Sequence, residues 1–408
     1  MSAPRFFALD ALRSGLMVLW IVLHSAMFYW SAPPPTVPFL FERHTAYGFD
    51  LVVSFIHGFR MPAFFVLSGF LAALLVAQRG LARFYHHRGR RVFLPLVVAL
   101  VTILPLAGYG FVQVILSARF GARSWVLDRE QLITLANELT VAGFPIREPA
   151  VDHLWFLFYL IYFSLLLPLW RLVERGLEPF EARLRGWLGS GLAVVGLGLI
   201  CAVTLWPFRG GQVFEGVVLL KPQPAPFVYY GAFFFFGCLL HRHREVFAAL
   251  VRLAPENAVA GGLLFPLAQY ATEIEYAAGA AVSPAVHLAA VVAQGLCTWT
   301  LIYAMTGFAL RYCAAESPWA LYLCRASFWV YLVHPILICG VVYGLQPIEL
   351  HAVFKFGVVV AVATIASFLS YHYLVQRSWI GTLLNGQRFN QAWPWQDLRA
   401  ATRKRVAP

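Results

Sequence analysis

Arg13 and His24 stand in a stretch, Leu12 to Trp30, whose other side chains are almost all apolar, and both can do chemistry. Eleven helical steps of 100° return to within about 20° of the start, so the two share one helix face, about 16 Å apart along the axis. Histidine, with an ordinary pKa of about 6.5, is suited to take a proton near neutrality. Arginine grips phosphate or carboxylate through paired N–H donors. An arginine at one surface with a histidine three turns above it suits a long ligand. Its anionic end meets the arginine and its reactive end reaches the histidine.

Further titratable groups interrupt other apolar runs. His57 and Arg60, three residues apart and on one face, fall about 10–15 Å inside a run that starts near Asp50, close to the expected depth of His24. His153 opens the run DHLWFLFYLIY, and Tyr331 and His334 lie in SFWVYLVHP, where Pro335 is expected to bend the helix. Such groups are costly in hydrocarbon, so their gathering at one depth points to a polar chamber. A chamber of this kind serves a catalytic site or a transporter's substrate path equally well. Arg60 needs an accepting partner: Asp50 is about three turns away along the same helix, and Asp10 lies near the opposite face.

The elements that must hold these residues are transmembrane helices. The 408 residues are 60% apolar and only 12% charged, with a mean hydropathy of +0.70. Soluble domains carry about 25% charged residues, so much of the usual water-facing surface is missing. Apolar windows long enough to span fall near 12–31, 51–78, 92–117, 151–171, 187–208, 226–240, 257–272, 284–310, 326–346 and 354–376. The sixth and seventh are short enough to be tilted, broken or re-entrant. The expected fold is therefore an all-α transmembrane bundle of about ten spans. The first run, about 19 residues with a histidine in it, is too long for a signal-peptide core and reads as a retained span.

Charge sets the expected orientation. With the N-terminus inside, 22 of the 31 Lys and Arg lie on the inner side, 8 on the outer, and Arg60 within a span. That asymmetry places both termini in the cytoplasm. It also accounts for the net charge of +12 without invoking nucleic acid. The densest basic loop, RGLARFYHHRGRRVF, is either a topology signal or a landing patch for an anionic cytoplasmic ligand. Outside lie a Pro-rich loop over 31–50 and a long loop over 118–152 with a short helix expected around Arg129–Leu139. Residues 1–378 read as the membrane domain. Residues 379–408, with Trp393 and Trp395, read as a basic cytoplasmic tail that is interfacial or disordered. The six cysteines show no close pairing and read as small buried hydrophobes, and no metal signature, Gly-rich phosphate loop or nucleophile elbow is present.

Several segments together resemble a known family, the integral-membrane acyltransferase family 3. They are FFALDALRSGLMVLWIVLH (6–24), FFVLSGF (64–70), the R-x-x-R-x-x-x-P of Arg88, Arg91 and Pro95, HLWFL (153–157) and SFWVYLVHP (327–335). They run in family order across most of the chain, and the form FIHGFRMPAFFVLSGF is most similar to the branch that succinylates osmoregulated periplasmic glucans. The resemblance implies an inner-membrane enzyme of bacteria. It would move an acyl group from cytosolic acyl-CoA, a co-substrate and not a bound cofactor, to a saccharide hydroxyl on the far side. It makes His24 the essential histidine of the first span and Arg13 its essential arginine, and it matches Arg88 and Arg91 to a basic cytoplasmic motif. It assigns no definite role to His153, Tyr331 and His334. Leu12-Arg13-Ser14 departs from the LRG common among O-antigen-modifying members, and only about 30 residues follow the last expected span.

On that resemblance His24 is expected to act as general base, Arg13, Arg88 and Arg91 to hold the phosphates of the donor, and Tyr331 to be one source of an oxyanion hydrogen bond. Direct transfer is favoured over an acyl-enzyme, with Ser68 keeping the latter open. Arg60, with His57 beside it, would read the free carboxylate of a succinyl group; alternatively it pairs within the bundle and only holds it together. Two other functions stay open: O-acetylation of another envelope polysaccharide, and transport of a glycoconjugate. Matched halves with interrupted spans, which transport favours, do not stand out. No oligomeric state is implied.

Overall fold

A computed structural model describes residues 6–32, 42, 44–120, 130, 133, 151–213, 221–390 and 393–394, and among them every regular element is helical. The Pro-rich run 33–38, Trp395 and all of the helix expected around Arg129–Leu139 except Glu130 and Ile133, both helical, lie outside the described residues. Each of the ten apolar windows contains helix. The main elements are α1 (Phe7–Ala26), α2 (Tyr47–Arg79), α3 (Leu81–Arg88), α4 (Leu94–Val101), α5 (Ile103–Phe120), α6 (Trp155–Leu165), α7 (Leu167–Leu177), α8 (Glu181–Leu188) and α9 (Leu192–Leu205). They continue with α10 (Pro224–Arg242), α11 (Phe247–Ala278), α12 (Pro284–Tyr312), α13 (Pro318–Leu345), α14 (Ala352–Ser370) and α15 (Trp379–Asn385).

Seven spans among the described residues are single helices long and apolar enough to cross a membrane, and nine if each of two bent pairs is one span. The fifth window holds α9, whose 14 residues reach only about 21 Å, short of the ~30 Å hydrocarbon layer. The sixth and seventh windows, expected to be the irregular ones, form continuous helices of 19 and 32 residues. The breaks fall in the third and fourth instead, at 45° between α4 and α5 and 56° between α6 and α7. Both have a local cause. Pro105 and Pro168 lie just beyond the breaks and cannot donate to the carbonyl four residues back. At the first break Thr102 Oγ1 also turns back to the Val98 carbonyl at 2.7 Å.

The outer surface is apolar: Val203 is 75% exposed, Val101 71%, Leu192 70% and Phe354 68%. Water would penalise such a surface, and lipid is its natural solvent. Helices bury against one another through small residues, as expected where lipid removes the hydrophobic drive. At the crossing of α2 and α10, a Cβ on Gly69 would collide with the Phe234 carbonyl, and one on Gly237 with that of Val66. Nothing larger than glycine fits at either position. A buried ion pair, Lys355 Nζ to Glu42 Oε2 at 3.0 Å, ties the start of α14 to the segment after α1; losing either partner would cost about 3–5 kcal/mol. Beyond α14 the chain folds back. Trp393 stacks on His372 at 3.8 Å between ring centres, and Arg325 lies over Phe389, so this part of the expected tail is packed on the bundle. All six cysteines are free, five of them buried and Cys313 exposed.

Candidate active site

The face shared by Arg13 and His24 is turned to one neighbour, α13. Arg13 donates to Ser327 Oγ from Nη2 at 2.7 Å and to the Cys324 carbonyl at 3.2 Å, and His24 meets His334. Contacts advance in the same direction on both helices, so α1 and α13 run parallel. The spacing Cys324, Ser327, Tyr331, His334 is the i, i+3, i+4 stripe that keeps one face of α13 against α1. Arg13 therefore joins two helices through much of its donor capacity.

At the other end of that face, His24 Nδ1 lies 2.7 Å from His334 Nε2, with the rings within 8° of parallel. His334 is completely buried, and its Nδ1 contacts the carbonyl oxygens of Tyr331 at 2.8 Å and Val330 at 3.1 Å. Carbonyl oxygens only accept, so Nδ1 carries the proton. A neutral His334 then presents a bare Nε2, and His24 Nδ1 must donate to it. The lone pair of a neutral His24 is thereby placed on Nε2, and His24 is only half-buried. A proline makes this arrangement available. Pro335 has no N–H for the Tyr331 carbonyl four residues back, and that carbonyl accepts from the His334 ring instead. The expected bend at Pro335 is not a break: α13 runs unbroken from Pro318 to Leu345. Pro62 in α2 does the same for Gly58, whose freed carbonyl accepts from Thr298 Oγ1 at 2.8 Å.

The other sequence candidates divide into two groups. His153, His57 and Arg60 lie within electrostatic range of His24, so these side chains gather around it. His153 meets His334 and Tyr331 edge to face, at 5.7 and 5.6 Å between ring centres. Tyr331, a candidate oxyanion donor, gives its hydroxyl proton to the His153 carbonyl at 2.6 Å and so fixes the turn that opens α6. His57 Nε2 donates to the Val213 carbonyl at 2.8 Å and lines a small cavity with Tyr229, Tyr230 and Gln294. Arg60 is 2% exposed, with its Cζ 5.0 Å over the ring of Trp20, one turn before His24. Asp50 is occupied elsewhere, accepting from Ser31 and Ala32.

Arg88 caps and Arg91 lies within a π-helical turn, Gly89–Phe93, with Arg88 in electrostatic range of Arg13. Arg88 Cζ lies 5.2 Å over Phe84, and its buried Nε has no acceptor among the described residues. Arg91 packs on Gly386, the left-handed residue that ends α15. Ser68 is eight residues beyond Arg60 on α2, about 12 Å along the axis, and so is no partner for the histidine pair. Trp20 is the site residue that sequence reasoning missed. Its place at i−4 to His24 was the available signal, and its ring touches those of Phe64, Tyr331 and His334.

Residues 6–372 match a family described as an acyltransferase domain, acyltransferase family 3. The chain belongs to that family. It is a polytopic membrane acyltransferase. Among curated proteins it is similar to glucans biosynthesis protein C of Salmonella paratyphi B, Salmonella agona and Salmonella enteritidis. Each is 23% identical over 348 residues, which cover 81% of this chain and 82% of the relative. No solved structure matches. For the acyltransferase, Pro335→Ala should separate stability from activity. Alanine is about 3 kcal/mol better than proline inside a helix, and its N–H would compete with His334 Nδ1 for the Tyr331 carbonyl. A raised thermal midpoint with a kcat about tenfold lower is the expected outcome, read by melting curves and steady-state transfer assays.

Proposed function

We propose that this acyltransferase moves an acyl group, succinyl, from cytosolic acyl-CoA to a hydroxyl of a periplasmic glucan across the bacterial inner membrane, with His24 as general base. The observation that carries the reading is the direction of the His24–His334 hydrogen bond, which leaves the His24 Nε2 lone pair available. A sugar hydroxyl is a weak nucleophile until a base takes its proton. Its oxygen attacks the thioester carbonyl carbon as the proton passes to His24 Nε2. A C–O bond forms, the tetrahedral oxyanion collapses and the C–S bond breaks. His24 returns the proton to the leaving sulfur, giving an ester and free CoA thiol. His334 is a positioning residue, holding His24 in the productive tautomer and accepting from its Nδ1–H while the ring is charged. The acceptor class rests on the relatives' name, glucans biosynthesis protein C, and the succinyl group on the motif resemblance. Incubating purified protein with succinyl-CoA, acetyl-CoA and butyryl-CoA tests the reading. Thiol release that depends on added glucan is expected; no thiol release with any of them would move the chain to glycoconjugate transport.

In this reading the donor's phosphates lie at the Arg13 end, with Arg88 as the main contact because its Nε is free of acceptors there. Charge-assisted hydrogen bonds contribute about 1.5–3 kcal/mol each. Arg88→Gln with Arg91→Gln should therefore raise the KM for acyl-CoA about 10- to 100-fold while moving the glucan KM by less than about threefold. An unchanged acyl-CoA KM would leave the loop a topology signal alone.

A further inference from the structure

We infer that Arg60 is the receptor for a free carboxylate at the end of the acyl group, and is therefore the residue that makes the enzyme prefer a dicarboxylic acyl donor to a monocarboxylic one of the same length. The inference deepens the proposed acyl transfer and rests on it.

A guanidinium is a fixed cation with five N–H donors, and burying it without acceptors is costly. Arg60 is 2% exposed, and neither its Nε nor its Nη1 meets a hydrogen-bond acceptor among the described residues. The nearest acid on its own helix, Asp50, is held by the backbone N–H groups of Ser31 and Ala32 and the Ser31 hydroxyl. Arg60 and Trp20 form a cation–π contact at 5.0 Å, which orients the guanidinium but satisfies no N–H donor. Among the described residues, its other neighbours within electrostatic range include Tyr230 and Tyr331.

Position then says which part of a ligand the cation would meet. Trp20 lies between Arg60 and the histidine pair, its ring 6.2 Å from that of His334 and one helical turn from His24. Arg13 lies at the far end of the α1 face, some 16 Å from His24, with Arg88 in electrostatic range of it. A donor whose phosphates occupy that far end brings only its acyl group to Arg60. An acyl chain ending in a carboxylate supplies the missing acceptor, and one ending in a methyl group leaves the buried donors unpaired. Selectivity of this kind is strong because the wrong substrate leaves polar groups unsatisfied.

Succinyl-CoA and butyryl-CoA have four-carbon acyl groups that differ in the terminal carboxylate, so they isolate the effect. Purified wild-type protein is expected to prefer succinyl-CoA in kcat/KM by at least about tenfold, and Arg60→Gln to reduce that preference about 10- to 100-fold. Arg60→Lys, which keeps the charge and loses the fork, should retain part of it. Equal use of the two thioesters by the wild type, or equal loss of both in Arg60→Gln, overturns the inference. Should Arg60→Gln fail to fold, the wild type alone still decides. Free succinate should inhibit transfer and raise the thermal midpoint where butyrate at equal ionic strength does not, and equal effects of the two anions overturn the inference. If no thioester is consumed, the acyl-CoA reading fails by itself. The carboxylate receptor then stands or falls on the thermal shift by succinate against butyrate.

Discussion

His24→Ala is expected to lower kcat for acyl transfer about 10²- to 10⁴-fold, the usual contribution of a positioned general base. The fold should survive, because His24 is only half-buried and, among the described residues, its one hydrogen bond is to His334. His334 is completely buried and His57 is anchored to the Val213 carbonyl, so neither ring is held where that of His24 is. Thermal midpoint and elution volume in detergent should match the wild type. Transfer at a near-normal rate would remove His24 from the chemistry.

His334 should matter almost as much without touching the substrate. His334→Ala deletes the acceptor for the His24 Nδ1–H, frees the His24 ring to turn, and lets either nitrogen carry the proton. A kcat loss of roughly 10²- to 10³-fold with little change in the KM for either substrate is expected. The pH profile separates this from simple loss of packing. The acidic limb of kcat, where the base becomes protonated, should move once the second imidazole no longer shares the charge, whereas a purely structural defect lowers the amplitude at every pH. His334→Gln, which can still accept at that position, should recover part of the rate.

Local periodicity made much of this legible. The face shared by Arg13 and His24 follows from eleven residues at 100° each, and both side chains meet α13. Counting rise along α2 placed His57 and Arg60 at the depth of His24, and they lie in its field. Pairings between distant segments were not legible. His24 and His334 are 310 residues apart, and nothing in either helix records which nitrogen faces which. Arg13 read as a phosphate ligand because its type and depth suit one, yet Ser327 and Cys324 supply acceptors that only the packing reveals. The irregular spans were misplaced for a different reason. Window length left α10 and α11 open to being tilted, broken or re-entrant; the breaks fall instead beside prolines 105 and 168, in runs of ample length. Pro335 carried a further lesson. It read as a bend, and it also supplies a free carbonyl that orients an imidazole.

The most direct test uses purified protein in proteoliposomes, succinyl-CoA labelled in its acyl carbons and purified glucan as acceptor. Wild-type protein is predicted to place the label on the glucan as a base-labile ester, with one free thiol released for each ester formed, and the His24→Ala protein to do neither. Label reaching the glucan at the wild-type rate in His24→Ala, or glucan carried across the bilayer with no thiol released, would contradict the account.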